Sequence, residues 1–571
     1  MSKTKKIVSI SLAILFAVIM VAIYDLVLPA WNIRSSGLWC FITVALVIAA
    51  VIVTCICVGE DYEKPIKISW TAVVVILALY ALLGIISSPM FHAHKLHDVA
   101  QVTVSDAGVS DFDDLSVVEN LETVPLIDLD SAISLGDKGL ASIPHPEWYE
   151  VDHEYNLIQY QGEYYRLSTI DYGGFYKYNK AKYDAIPGYI LVSVTPENGV
   201  VTQEASVVIL SDPIRYTPGA YGSYDLRRHL HYQYPSYMLD RAFMEIDENG
   251  VPYWVTGVLR PSTGLFGGGI VNSFILTNAQ TGESQEYPVS DAPSWIDHVY
   301  SLDYLMKVAY WHYGYADGFL NNYFSMTNVW RTSYAFRDRH RDDGDAEDSG
   351  AEQFANFFGY SSIVSQSGEV CFYTGLTAAN KANSNLGWLV IDTSTGKMTQ
   401  YDLVGAEESS AQSAIEELVQ EKGYEATFPL PANIGGEASY VMCLKGKAGL
   451  VQGYGICNME NYSIAVQANT LDEAIRKYQA KLNGATDEVA EGAVTEDVPT
   501  TVGETKSGSG KITNIKTAEI GGTTQFYYVI DEQLYRSSIT VDERQVLYKV
   551  GTEISFDYYE DGDIMVIIAI K

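Results

Sequence analysis

The chain has 571 residues, with 71 Asp and Glu against 37 Lys and Arg, a formal charge of −34. That balance excludes nucleic acid as a partner, because such binding draws its affinity from Lys and Arg set against phosphates. It equally excludes a peripheral protein held to anionic lipid by a basic surface. Tyrosine is over-used, 42 residues against 18 Phe, which suits a β-rich surface where the ring packs on a pleat and the hydroxyl stays wet.

Three apolar segments open the chain, from about Ile7 to Leu28, Leu38 to Val58 and Ile68 to Phe91. Each is near the ~20 residues that a helix needs to cross a bilayer, and only a helix satisfies its own backbone there. Lys3, Lys5 and Lys6 before the first segment also fit a secretory signal. Two further apolar segments follow at once, which favours an anchor. The first loop carries only Arg34 and the second carries Lys64 and Lys67. The positive-inside rule then puts the N-terminus in the cytoplasm and the large C-terminal part outside. Asp25, beside Pro29 and Trp31, reads as an interfacial residue. Residues 1–90 hold six basic and four acidic residues, so the acidic excess lies wholly in the remainder.

From 92 to 126 the chain is polar without a clear period and reads as a stalk or lead-in; a short helix over 131–143 follows a cap at Asp130. Hairpin signals then dominate, at 155–171, 242–258, 361–377 and 435–457, each with a Gly-centred turn between alternating runs. Strand, turn and return strand are expected at 188–201, 273–287 and 387–401. Helices are expected at 293–313, 407–423 and 470–482, the last with Thr470 and Glu473 at capping-box spacing. Residues 484–509 read as an acidic flexible linker. The last domain, 510–571, reads as five strands near 511–517, 523–530, 534–541, 553–559 and 564–570, with turns at 521–522, 531–532, 549–551 and 561–562 and a short helical turn at 541–545. Five strands in that length resemble a small OB-like barrel.

The fold class expected is therefore three N-terminal transmembrane α-helices, a multi-domain α+β, β-rich exported region and a C-terminal all-β small barrel. The divisions expected are an anchor (1–91), a lead-in with a short helix (92–147), a hairpin-rich α+β region (148–340), a second α+β region (341–483), the linker (484–509) and the barrel (510–571). The strand, Thr-Gly turn, strand and helix of 388–422 resemble the PepSY and cystatin-like modules of envelope proteins. That resemblance implies inhibition, regulation or binding. The whole plan is similar to membrane-anchored surface proteins of Gram-positive bacteria.

Chemistry is sparsely signalled. There is no HExxH helix, GxSxG elbow or Walker loop. HAHKLH (92–97) clusters three imidazoles but lacks a second ligand group, and reads as an interfacial segment. RDRHRDDGDAEDSGAE (337–352) alternates Asp343, Asp345 and Glu347 as calcium ligands do, but Asp348 stands where an EF-hand loop needs Gly. It reads as a solvated loop. Cys371, weighed as a nucleophile with His298 or His312, reads as a core residue on an alternating strand. GLFGGG (264–269) precedes a strand, so it reads as a hairpin loop and not a phosphate cradle. RRHLHYQYP (227–235) is a local basic and aromatic patch, fit for an acidic neighbour, another copy or structural ion pairs. Cys443 and Cys457 are close enough in sequence to bridge, although the turn between them places Cys443 opposite a residue near 452.

No catalytic, cofactor-binding or metal residue is expected, and no enzyme. The expected role is a structural or interaction protein of the bacterial cytoplasmic membrane and cell envelope, with a protein partner, self-association as a homo-oligomer, or cell-wall glycan in contact with exposed tyrosines. The alternatives are a regulator or inhibitor of an envelope enzyme and, third, a cell-wall hydrolase using paired carboxylates.

Overall fold

The computed structural model describes residues 3–57, 63–105, 124–332, 360–484 and 506–571, less short gaps at 153–154, 184, 198–199, 366, 380–384, 403–404, 406, 448, 521–522, 531–532, 539–540 and 562–563. The charged run 337–352, most of the 484–509 segment and the turns at 521–522 and 531–532 lie outside the described residues. The chain divides into two compact units, Met1–Ala465 and Val466–Lys571.

The first unit begins with helices α1 (Lys3–Val27), α2 (Ser36–Cys57) and α3 (Glu63–Ile86). All three are long and apolar enough to cross a membrane. Their flanks expose Ile14, Val21, Val74, Leu82 and similar side chains, a surface that only lipid or protein can cover. The third apolar stretch does not run unbroken to Phe91. Helix α3 stops at Ile86, and Pro89 opens a separate helix, α4 (Pro89–His97), with non-helical torsions at His92.

The described residues of the polar lead-in are more ordered than a stalk. Ala93 and Leu96 of α4 are buried in an apolar cluster with residues of the second and third sheets and of the helix Leu302–Gly314. Residues Val102–Ser105 form a strand parallel to Met398–Tyr401. Helix α5 (Leu129–Leu140) is capped by Asp128, not Asp130: the Asp128 carboxylate accepts from Ser131 N. Asp130 lies within the first turn, where its charge meets the helix dipole.

Four sheets follow. In the first, Tyr149–Val151 and Asn156–Tyr160 share one edge of Glu163–Tyr172, followed by Ile186–Ser193 and Ala205–Ile214. Gln161 and Gly162 both adopt positive φ (55° and 87°), the two-residue turn that matches strand twist. The return strand expected within 188–201 is displaced. Pro196 and Glu197 pair with Val201 and Val200, and the chain returns at 205–214. That excursion contacts the fourth sheet, where Gln203 exchanges two hydrogen bonds with the backbone of Val451.

The second sheet is an antiparallel meander of Met238–Ile246, Pro252–Thr263, Gly267–Asn278 and Ser284–Pro288. The third runs Val102–Ser105, Met398–Tyr401, Asn385–Asp392, Val370–Ala378 and Trp330–Thr332, with Ser361–Val364 also on Val370–Ala378. After the short helices α6 (Phe175–Ala181) and α7 (Leu226–Gln233), helix α8 (Leu302–Gly314) lies between these two sheets. It is shorter than the 293–313 stretch expected, because Ser301 caps it and the preceding residues hold the chain against Thr393. Leu305, Met306, Val308 and Ala309 of α8 join Phe274, Val255, Phe372 and Ile391 in one core. A Leu→Ala change at such a site costs about 2–5 kcal/mol.

The fourth sheet pairs Glu425–Ala426 and Leu430–Ile434 with Glu437–Lys445, and that strand with Val451–Asn458. Helices α9 (Phe319–Tyr323) and α10 (Glu408–Leu418) complete the unit. Gly455 is dictated by α10: a Cβ there would lie 2.5 Å from Ile415 Cγ2. Cys443 pairs with Tyr454, close to the position expected, and Cys457 pairs with Tyr440. Both are free thiols, held in the core, where burial pushes their ionisation upward.

The second unit contains helix α11 (Leu471–Leu482), whose Thr470 Oγ1 accepts from Glu473 N as the capping box requires. Its closed barrel uses Lys506–Ile520, Thr523–Ile530, Gln533–Ser538, Glu553–Asp561 and Ile564–Ile570. Taken in chain order the strands neighbour one another as first, second, third, fifth, fourth and back to first, with the third and fifth parallel. The turn expected at 541–545 is a 3-10 turn over Glu543–Leu547. Gln545 there accepts from the buried Tyr528 hydroxyl at 2.9 Å.

Candidate functional site

Two places in the first unit carry more chemistry than packing requires. The first is an aromatic surface built around α6. The sequence GGFYKYNKAKY (173–183) places the Gly173-Gly174 pair ahead of closely spaced rings. Gly174, with φ of 95°, turns the chain from the sheet into the helix. Phe175, Tyr176, Tyr183 and Tyr221 are 55%, 86%, 82% and 40% exposed, far more than ring burial favours. They rest on a rigid base. Tyr149, Tyr172 and Tyr178 are buried and in successive ring contact, and Tyr178 reaches Tyr221 at 5.3 Å between centroids. The Tyr178 hydroxyl donates to Tyr221 O at 2.7 Å. Below the patch, the Asp171 carboxylate accepts from Thr217 Oγ1, Gly219 N and Tyr172 N, fixing the loop that leads to Tyr221. Burial pushes the Asp171 carboxyl up to about 6, against those hydrogen bonds.

The second is a buried trio. Glu245 on the second sheet is fully buried, and its Oε1 accepts from His298 N at 3.2 Å and lies 2.9 Å from His298 Nδ1. Asp297 Oδ2 accepts from Gln159 N at 2.6 Å. Burial raises the Glu245 carboxyl well above the ordinary range. Burial, then the neighbouring Glu245, brings Asp297 to about 7, and burial lowers His298 to about 4. Glu245 and His298 are thus driven to their uncharged forms, and the tautomer with hydrogen on Nδ1 donates to Oε1. Glu245 Oε2 and His298 Nε2 are buried without a hydrogen-bond partner among the described residues. The Phe243 and Phe372 rings flank the imidazole.

The residues singled out in the sequence separate from one another. Cys371 is a buried strand residue paired with Asp392 and Ile363. His298 is committed to Glu245. His312 stacks on His97 at 4.3 Å, and each ring Nδ1 contacts the other residue's carbonyl oxygen, at 2.6 and 3.2 Å. The 92–97 histidines therefore do not converge, and among the described residues no group of metal-ligating side chains occurs. GLFGGG is the hairpin loop expected. Its Leu265 and Phe266 N–H groups donate to Ser87 Oγ, and Phe266 meets Trp39 and Tyr80 of the anchor.

The basic patch 227–235 is the clearest outcome. Arg228 pairs with Asp25, Arg227 donates to Val27 O, and His231 Nε2 lies 2.7 Å from the Tyr24 hydroxyl. Trp31 N donates to Pro235 O at 2.7 Å. Asp25 lies in the last turn of α1, and its partner is supplied by α7. No linear pattern marked Glu245 or Asp297; the aromatic density of 173–183 was the available signal for the first place. No protein-family model and no curated protein matches the chain.

Proposed function

We propose that this is a membrane-anchored structural or interaction protein of the bacterial cell envelope, with its N-terminus inside and its sheet-rich part outside. The observation that carries the reading is the exposed aromatic surface of Phe175, Tyr176, Tyr183 and Tyr221 on a packed, hydrogen-bonded base. Rigid aromatic side chains give large contact area at low entropic cost, which is how interaction surfaces concentrate their affinity. The occupant favoured is protein, either a second copy or another envelope component, with wall glycan second. The seam of Asp25–Arg228, Tyr24–His231 and Trp31–Pro235 contacts supports a surface held at a fixed position over the bilayer.

The test uses full-length protein in detergent, by mass photometry, with sedimentation against purified wall material as a second arm. Self-association or co-sedimentation is expected for the native chain, and its loss in Tyr176→Ala/Tyr183→Ala. Monomers that do not sediment with wall, or a variant that behaves as native, would refute the assignment. Protease added to intact cells should remove the region beyond His97. Protection there, with cleavage only after lysis, would reverse the sidedness.

A further inference from the structure

A cavity of about 230 Å³ opens where the loop between α1 and α2 meets the second sheet. Asn32 and Arg34 line it from the loop, and Met238, Val258, Leu259 and Arg260 are among those lining it from the sheet. Arg34 stands two residues before α2 begins at Ser36. With 22 residues, α2 spans roughly 33 Å, enough to cover the hydrocarbon. Arg34 therefore lies at headgroup depth. Trp31 and Ile33 beside it are 52% and 64% exposed, as interfacial anchors are.

The charge at this cavity runs against the rest of the molecule. On a chain of net charge −34, its lining holds two arginines and no acid. The Arg34 side chain is exposed and has no ion-pair partner among the described residues. The nearest counter-charge to Arg260 is Glu286, 3.7 Å away. That carboxylate already accepts from Tyr237 and Ser273 hydroxyls, so Arg260 is only partly neutralised. Guanidinium groups bind phosphate oxygens in a bidentate fork, and basic pockets beside membrane helices take lipid headgroups. The apolar lining of Met238, Val258 and Leu259 suits the glyceryl and first methylene groups of a lipid and not a freely soluble anion.

We infer that this cavity holds the phosphodiester headgroup of an anionic membrane phospholipid between Arg34 and Arg260. The lipid pins the sheet region to the bilayer surface beside the Asp25–Arg228 pair. The inference requires the membrane location of the anchor and is independent of what the aromatic surface binds.

Full-length protein in neutral detergent is titrated with phosphatidylglycerol, with diacylglycerol and with inorganic phosphate, and bound species are read by native mass spectrometry. One phosphatidylglycerol per chain is expected, with diacylglycerol retained far less. Arg34→Glu, at an exposed side chain without a partner, should weaken retention on the order of tenfold. Arg34→Ala/Arg260→Ala should do the same while the unfolding midpoint without lipid stays at the native value. Equal retention by Arg34→Glu, or equal binding of diacylglycerol, would overturn the assignment. Binding of inorganic phosphate without phosphatidylglycerol would make the cavity a soluble-anion site and overturn the lipid source.

Discussion

Glu245, Asp297 and His298 show how three ionisable side chains remain in a core without strong ion pairing. Burial raises both carboxyls, so the stability that their protonated forms contribute is fully present near pH 4 and lost as pH rises. His298 acts in the opposite sense. Its neutral form contributes stability above its ordinary value of 6.5, and that stability is lost as pH falls toward about 4. Between those limits the imidazole offsets one carboxyl. Above about 6.5 only the carboxyls act, at up to about 1.4 kcal/mol per pH unit for each group. The unfolding midpoint of the native chain should therefore fall as pH rises above 6.5. Glu245→Gln, which cannot ionise, should flatten that decline, and an equally steep decline in the variant would show that Glu245 does not titrate there. No local pattern announces this trio. Glu245 sits in an ordinary hairpin strand, AFMEID, and its environment is made by Asp297 and His298 some fifty residues later. The pairing of Asp25 with Arg228 was not legible, because the two are 203 residues apart.

At the scale of elements, turns and caps were the readable part. Gly162, Gly250, Gly368 and Gly436 all take positive φ at the expected hairpins, since few other residues occupy that region without strain. Thr470 caps α11 as its spacing implies. Helix α8 was misjudged in length because Trp295, Ile296, Val299 and Tyr300 continue an apolar pattern. Tertiary bonds from Val299 and Tyr300 to Thr393 O hold that stretch out of the helix. Ser301 then does two things: its hydroxyl accepts from Tyr304 N and donates to Asp240 Oδ2 at 2.7 Å. Ser301→Ala should cost about 1–2 kcal/mol. Hydrogen exchange of the first α8 amides should quicken by roughly five- to thirtyfold, and unchanged exchange would mean that the cap is dispensable. Asp128 displaced Asp130 as the α5 cap for a related reason. Its second oxygen lies 2.6 Å from Lys445 Nζ on the fourth sheet, a partner that local sequence does not reveal.

At the scale of the whole chain, the sequence showed the order of parts and not their interleaving. Three apolar helices, a sheet-rich middle and a closing barrel were all legible from hydropathy length, turn residues and strand alternation. The barrel has its own core of Ile512, Phe526, Tyr528, Ile530, Tyr535, Ile554, Phe556 and Ile567, and closure leaves it no free sheet edge. Residues 506–571 produced alone should unfold cooperatively, with coincident far-ultraviolet and tyrosine signals. A gradual, non-coincident melt would tie the barrel's order to the rest of the chain.

What hydropathy could not reveal was the destination of Val102–Ser105. This strand follows the anchor directly, yet its parallel partner is Met398–Tyr401. At about 5–20 residues per second of synthesis, roughly fifteen seconds to a minute separate the appearance of the two. During that interval the early strand lacks the partner that the finished sheet gives it. The third sheet is then completed late, and this order of events makes truncation before residue 398 a route to a kinetically trapped, aggregation-prone chain.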